Sequence, residues 1–277
     1  MTTYRVIQLI QNAISYIVLS VLAVALGFPL FWIIITSVKD RREVFNQFWP
    51  SQIDLSNFER VWAEMNLPNH LGNSLYVTGL HVAIVVVTAT LAGYAFARLT
   101  FPRRDTIFYA FILAMMIPGQ AVLIPMFQYL KNLGLLNTHE GLALSMTGGA
   151  IAFAIFLMRA FFKSLPGELG DAAKIDGCTE WGVFRHIYLP LARPGIATVI
   201  IFQFMGTWNE FMFSTTFINT PNMKTIQPAL YQVVGRYSID YTALSAGLLL
   251  AIMPILIVFL VLQRQFIKGL TAGAFKG

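Results

Sequence analysis

The chain has 277 residues, of which 57% are hydrophobic and only 12% charged, and its formal net charge is +6. So little charge over so much apolar sequence excludes an ordinary water-soluble globule and points to the membrane class. No loop interleaves Lys and Arg with aromatics, so the excess positive charge reads as membrane topology and no nucleic-acid partner is expected.

Six apolar stretches, at about 13–36, 72–97, 106–127, 141–162, 195–218 and 241–263, reach the roughly 20 residues that a helix needs to cross a hydrocarbon core. They are continuous rather than alternating, which selects helices over barrel strands. The expected fold class is an all-α polytopic membrane protein with six transmembrane helices in a single domain, 1–277. The first stretch contains SVLAVALG, whose small residues imitate a cleavage site. Its apolar run continues from Phe28 to Ile35, past the length of a signal core, so it reads as a retained anchor.

Most of the 19 lysines and arginines fall on one side of an alternating topology. That side holds Arg5, then Arg98, Arg103 and Arg104, then Arg159, Lys163, Lys174, Arg185 and Arg193, and finally Arg264, Lys268 and Lys276. The other side holds Lys39, Arg41, Arg42 and Arg60 in a longer loop with compensating acids. Positive charge stays inside, so both termini are expected to be cytoplasmic. Cys178 is the only cysteine, which excludes an intrachain disulfide and a thiolate metal site. His70, His81, His139 and His186 show no metal-ligand spacing, and no metal or cofactor is expected in this chain.

In the third span, Gln120 stands between Pro118 and Pro125, which remove backbone donors and bend the helix. It reads either as a pathway wall or as part of a packing kink. In the fifth span, Gln203, Gly206 and Glu210 share one helical face while Trp208 and Asn209 lie nearby. Such an aromatic beside amide and carboxylate groups suits a sugar; the same residues also suit the role of holding helices together. Gly93, Gly148, Gly149, Gly206 and Gly247 fit close helix approach.

A polar island runs from Lys163 to Pro194. Ser164 is placed to cap a helix from Pro166 to Asp176, with Glu168 and Asp171 in its first turns and Gly177 as its stop. Thr179 then caps a second short helix, through Phe184 or His186 and ending before Leu189-Pro190. Ala172 and Ala173 are expected on one face with Leu169. On physical grounds the island is either a pair of helices lying on the bilayer surface or a handle for a soluble partner.

Its sequence DAAKIDGCTEWGVFRHIYLP resembles the cytoplasmic signature of permease subunits of binding-protein-dependent ABC importers. That pattern is Glu-Ala-Ala, three residues, Gly, nine residues, then Ile-x-Leu-Pro. Here Asp171-Ala172-Ala173, Gly177 and Ile187-Tyr188-Leu189-Pro190 match every spacing, with Asp replacing Glu at 171. FPLFWIIITSVK, NSLYVT, GYAFARLTFPRR, MIPGQAVLIPMF, WNEF and QRQFIKGLTAGAFKG extend the resemblance over nearly the whole chain. It is similar to the carbohydrate-uptake branch, specifically the smaller permease of maltose-type importers. The resemblance implies a type I importer fold in which the 163–194 loop is a coupling element that docks in a cytoplasmic ATPase. Asp171, Ala172, Ala173, Gly177, Ile187, Leu189 and Pro190 would carry that coupling. The tail from Gln265 to Gly277 would be a second contact. It also implies a heterodimer with a second, homologous permease, a pair of ATPase subunits that bind ATP and Mg, an extracytoplasmic substrate-binding protein and a sugar substrate. The setting would be a bacterial or archaeal cytoplasmic membrane.

The sequence contains no G-x-x-x-x-G-K-[ST] phosphate loop, so the energy must come from another subunit. It also lacks H-E-x-x-H, G-x-S-x-G and an acid pair within a span, which argues against an intramembrane enzyme. The alternative of an ion-gradient-driven secondary transporter would need proton or ion relays and an internal repeat. One strong intramembrane carboxylate, Glu210, and no convincing repeat weigh against it.

Overall fold

A computed structural model describes residues 2–233 and 239–274, apart from the side chains of 2–6, 268 and 270–274. The side chains of Arg5 and Lys268, and residues 275–277 of the expected tail contact with Lys276, lie outside the described residues.

Helices in chain order are α1 (Thr2–Ser37), α2 (Ser56–Ala63), α3 (Leu67–Arg98), α4 (Arg104–Ala114), α5 (Leu123–Asn132), α6 (His139–Ser164), α7 (Glu168–Ile175) and α8 (Glu180–Val183). A π turn over Phe184–Tyr188 leads to α9 (Leu189–Leu191), then α10 (Arg193–Trp208), α11 (Met212–Phe217), α12 (Ile226–Tyr231) and α13 (Tyr241–Ala274). Four helices are long and apolar enough to cross a bilayer, and six spans result if each of two bent pairs counts as one.

One bent pair, Glu180–Leu191 with Arg193–Trp208 at 69°, joins the island to the fifth span, while the other departs from the uninterrupted run expected at 106–127. Segments Arg104–Ala114 and Gly119–Asn132 meet at 87°. The break falls at Pro118, which has extended backbone, whereas Pro125 sits in the first turn of α5, where its missing N–H has no intrahelical partner to lose. The run expected at 195–218 is interrupted separately, since α10 stops at Trp208 and α11 begins at Met212. Glu210 accepts the amides of Phe213 and Ser214 at 3.0 Å each, so its carboxylate starts a new helix instead of continuing the old one.

The chain divides into two compact units, residues 1–67 with 232–251, and residues 68–231 with 252–277. In the first, α1 is exposed from Ile7 to Leu30, an apolar surface suited to lipid. The carbonyls of Ser37 and Lys39 accept from Asn57 Nδ2 at 3.0 and 2.9 Å, which satisfies backbone groups left open where α1 ends. Lys39 is fully buried, its Nζ donating to Gln47 O at 2.7 Å and lying 4.9 Å from the Trp32 ring centroid. Asp240 caps α13 by accepting from Ala243 N at 3.1 Å and Thr242 Oγ1 at 2.9 Å, and it pairs with Arg41 and with Arg60.

In the second unit, α3 and α6 meet closely. A Cβ on Gly93 would stand 2.5 Å from Met158 Cβ, so only glycine permits this approach. Gly148, Gly149 and Gly206 differ from the expectation of close packing, since none has an atom within 4 Å of an added Cβ. A core of Val85, Tyr94, Phe162, Phe184 and Tyr188 fills the end of this unit nearest the polar island. Toward the opposite end, Asn137, at φ +60°, accepts the amides of Asn219 and Thr220 at 2.9 and 3.0 Å. His70 Nδ1 and His139 Nε2 lie 2.8 Å from the carbonyls of Lys224 and Met223. Two of the four histidines thus secure one loop.

Candidate functional site

Two features of the second unit combine chemistry with access. The first is a cavity of about 600 Å³ among α3, α6, α10 and the bend after α4. Its walls owe their space to Gly148, Gly149 and Gly206, whose missing side chains leave room instead of drawing helices together. Phe153, Met126 and Met146 make much of the lining apolar, and His81, Ser145, Gln203, Thr207 and Glu210 supply the polar groups. No Lys or Arg lines it among the described residues.

His81, from α3, is buried and bridges two helices. Its Nε2 lies 3.2 Å from Gln203 Oε1 on α10, and its Nδ1 lies 3.2 Å from Thr147 Oγ1 on α6. With Nε2–H donating to Gln203 Oε1, the neutral ring presents Nδ1 as an acceptor to the Thr147 hydroxyl, whose single proton also faces Ala143 O at 2.9 Å. That leaves the Gln203 amide nitrogen as a donor to a molecule in the cavity. Each Glu210 carboxyl oxygen receives one α11 amide, at 3.0 Å, and keeps a further lone pair to accept from a molecule in the cavity.

The five residues expected along a pathway therefore separate. Gln203 and Glu210 share the cavity lining. Trp208 does not line it: it is 1% exposed and stacked on Phe204, with ring centroids 5.4 Å apart. Asn209 donates to Met205 O at 2.9 Å and accepts from Gln227 at 3.3 Å, which ties the end of α10 to α12. Gln120 is exposed in the turn Gly119–Val122, whose Gly119 and Val122 reach the cavity while its own side chain does not. Sequence reasoning passed over His81 and Thr147. Their spacing resembles no ligand motif, and only the packing of α3 against α6 brings them together.

The second feature is the island. Its first helix is shorter than expected, Glu168–Ile175, and Gly167 occupies the cap position. Ser164 is not the cap: its hydroxyl donates back to Phe161 O at 2.7 Å and serves the end of α6. Gly177 has φ +84° and closes the helix in the left-handed region. Thr179 Oγ1 accepts from Gly182 N at 3.2 Å and caps α8 as expected. The second helix does not end before Pro190, however. Leu189 N–H reaches back to Phe184 O, and this wide π turn carries the helix past a proline that lacks a donor.

The island has two faces. Gly170 and Ala173 are buried toward the core, whereas Leu169, Asp171 and Ala172 are exposed, so the two alanines lie on different faces rather than sharing one with Leu169. Ile187 and Leu189 are half-buried against the core, and Pro190 and Gly177 are exposed. Lys174 pairs with Glu180, and that hydrogen bond raises the lysine pKa. Leu169, Ile175 and Trp181 present an apolar outer surface, with Ile175 87% exposed.

A family described as the binding-protein-dependent transport system inner membrane component matches residues 88–272, which include the island and every residue of the cavity lining except His81. The chain belongs to that family. The permease is 33% identical to the diacetylchitobiose uptake system permease protein of Streptomyces coelicolor, over 95% of this chain and 89% of that one. It is 32% identical to the lactose transport system permease protein of Rhizobium radiobacter, over 98% of each. Its fold matches a bacterial ABC transporter chain involved in import of the acidic polysaccharide alginate, with a TM-score of 0.82 and 23% identity over 93% of this chain and 96% of that one. The type I importer permease fold expected from the sequence is therefore established, and membership makes the permease a transmembrane component of an importer rather than its catalytic subunit.

Proposed function

We propose that this permease forms half of the translocation pathway of an ATP-driven importer for a neutral sugar or oligosaccharide. The 163–194 loop is the part that engages the motor. The observation that carries this reading is the division of the loop into a buried face and an exposed one. Gly170 and Ala173 lock it to the permease, and Leu169, Ile175 and Trp181 face outward with the signature residues Asp171, Ala172 and Gly177. A helix pair lying on a bilayer would need no such rigid seat. Two cytoplasmic ATPase subunits would bind ATP and Mg, and Ile187, Leu189 and Pro190 would fix the return of the chain into α10. A second permease would complete the pathway, and an extracytoplasmic binding protein would deliver the cargo. Both termini would be cytoplasmic, and the tail from Gln265 onward would be a further ATPase contact.

Relatives named for diacetylchitobiose and lactose support the sugar class. So does the cavity, where amide, hydroxyl and carboxylate groups face apolar walls and no described lining residue is a cation that would attract an acidic substrate. Sugars present hydroxyls that need hydrogen bonds and C–H faces that suit Phe153 and the methionines. The test compares Gly177→Val with the parent. A β-branched residue in the left-handed region costs about 1–2 kcal/mol and distorts the bend without touching a span. Recovery of the ATPase with the permease should fall, and uptake into vesicles should require added ATPase subunit. Uptake driven by an ion gradient alone would instead establish the secondary-transporter alternative.

A further inference from the structure

We infer that Arg98 and Tyr188 form the mechanical joint through which the docking loop moves the cavity walls. The inference rests on the docking reading above and adds the residues that transmit its motion. Arg98 is the last residue of α3. Its Nη2 donates to Phe162 O at 2.6 Å and also to Leu165 O, both at the end of α6. Its guanidinium carbon lies 4.7 Å from the Tyr188 ring centroid. One planar cation thus holds the ends of two helices and one face of a ring, a set of contacts that an ammonium could not reproduce.

Tyr188 occupies the unspecified position of Ile-x-Leu-Pro, yet it is 2% exposed and central to the packing. The π turn ends on it. Its hydroxyl lies 3.3 and 3.4 Å from the carbonyls of Pro166 and Gly167, which lead into α7. A Cβ on Gly170 would stand 2.8 Å from that hydroxyl, so α7 rests directly on the tyrosine. Displacing α7 must therefore displace Tyr188, and with it Arg98 and the ends of α3 and α6. Those two helices carry His81, Ser145, Gly148 and Gly149 into the cavity, with His81 about 25 Å along α3 from Arg98. The close Gly93–Met158 contact keeps α3 and α6 from sliding independently. Arg98 and Tyr188 touch neither cavity nor exposed docking surface, and so act as positioning residues.

The complete complex tests this with one spin label on Cys178, the only cysteine, and another on Val87→Cys, an exposed site on α3. Pulsed dipolar spectroscopy is recorded without nucleotide and after trapping with MgATP and vanadate. A fall in the mobility of the Cys178 label on addition of ATPase reports docking separately, so failure of the docking reading is distinguishable. With docking present, the parent should give one narrow distance that is the same in both states. Arg98→Gln should broaden the distribution and make it differ between the states. Tyr188→Phe, which keeps the ring and loses the hydroxyl, should do so to a smaller extent, and it decides the matter if Arg98→Gln does not assemble. Variant distances as narrow and constant as those of the parent, whatever the melting temperature, would overturn the proposal, as would a parent distance that changes between states.

Discussion

Gln203 and Asn209 are both amide side chains near the end of α10, and their environments give them different expected roles. Gln203 meets His81 and lines the cavity, whereas Asn209 is spent on Met205 O and Gln227. A hydrogen bond to a neutral ligand contributes about 0.5–1.5 kcal/mol. Gln203→Ala should therefore raise the substrate concentration for half-maximal uptake roughly twofold to tenfold, with a smaller change in melting temperature. Asn209→Ala should lower the melting temperature and leave the concentration dependence unchanged. Uptake curves beside melting curves, using an oligosaccharide selected by the partner binding protein, distinguish the two. Equal shifts in concentration dependence would place Asn209 in the pathway as well. Glu210 combines both roles, because the carboxylate that faces the cavity is also the cap of α11.

At the scale of elements, the start of α13 illustrates how a cap can depend on pH. Burial acts to raise the pKa of Asp240, but the Ala243 amide, the Thr242 hydroxyl and the Arg41 and Arg60 guanidinium groups together lower it below 3.8. A carboxylate with a depressed folded pKa stabilises the fold fully above its unfolded value. That contribution is lost as pH falls through the lower folded value. Asp240→Asn should therefore melt below the parent by a constant interval from neutral pH down to about pH 5, and the interval should begin to narrow near about pH 4 and close only as pH falls through the lower folded value. Melting temperatures of the purified complex across that range provide the check. An interval that persists at the acid end would show that Asp240 stabilises α13 through shape rather than charge. The other elements tell a related story: helix ends were predictable wherever a Gly or Thr carried its own local signal, as at Gly177 and Thr179. They were not predictable where a partner intervened. Ser164 turned back to α6, and the π turn carried α8 past Pro190, because the choice lay with tertiary contacts that local spacing does not encode.

For the whole molecule, the orientation derived from the distribution of Lys and Arg makes a direct prediction. Cys178 is exposed on the island, and there is no second thiol in the chain. An impermeant maleimide should leave it unlabelled in intact cells and label it in inverted vesicles stripped of ATPase, with docking of the ATPase reducing the labelling. Reaction from outside the cell would reverse the topology and remove the island from reach of any cytoplasmic motor.

The sequence by itself determined the class, the approximate helices, the family and the signature spacing of the proposed docking loop. Each depends on composition or on spacing within a short stretch, where chemistry is local: a run of apolar residues needs lipid, and Asp171-Ala172-Ala173 with Gly177 and Ile187 keeps a fixed interval. The tertiary structure alone decided which polar groups meet. His81, Thr147 and Gln203 come from three different helices, and a helical face becomes a cavity wall only when its neighbours stand back. Gly148, Gly149 and Gly206 illustrate the same point, since a glycine permits either close contact or open space, and the surrounding helices settle which. Trp208 and Gln203 stand five positions apart on one helix, yet the packing of α10 turns one into the core and the other toward the cavity.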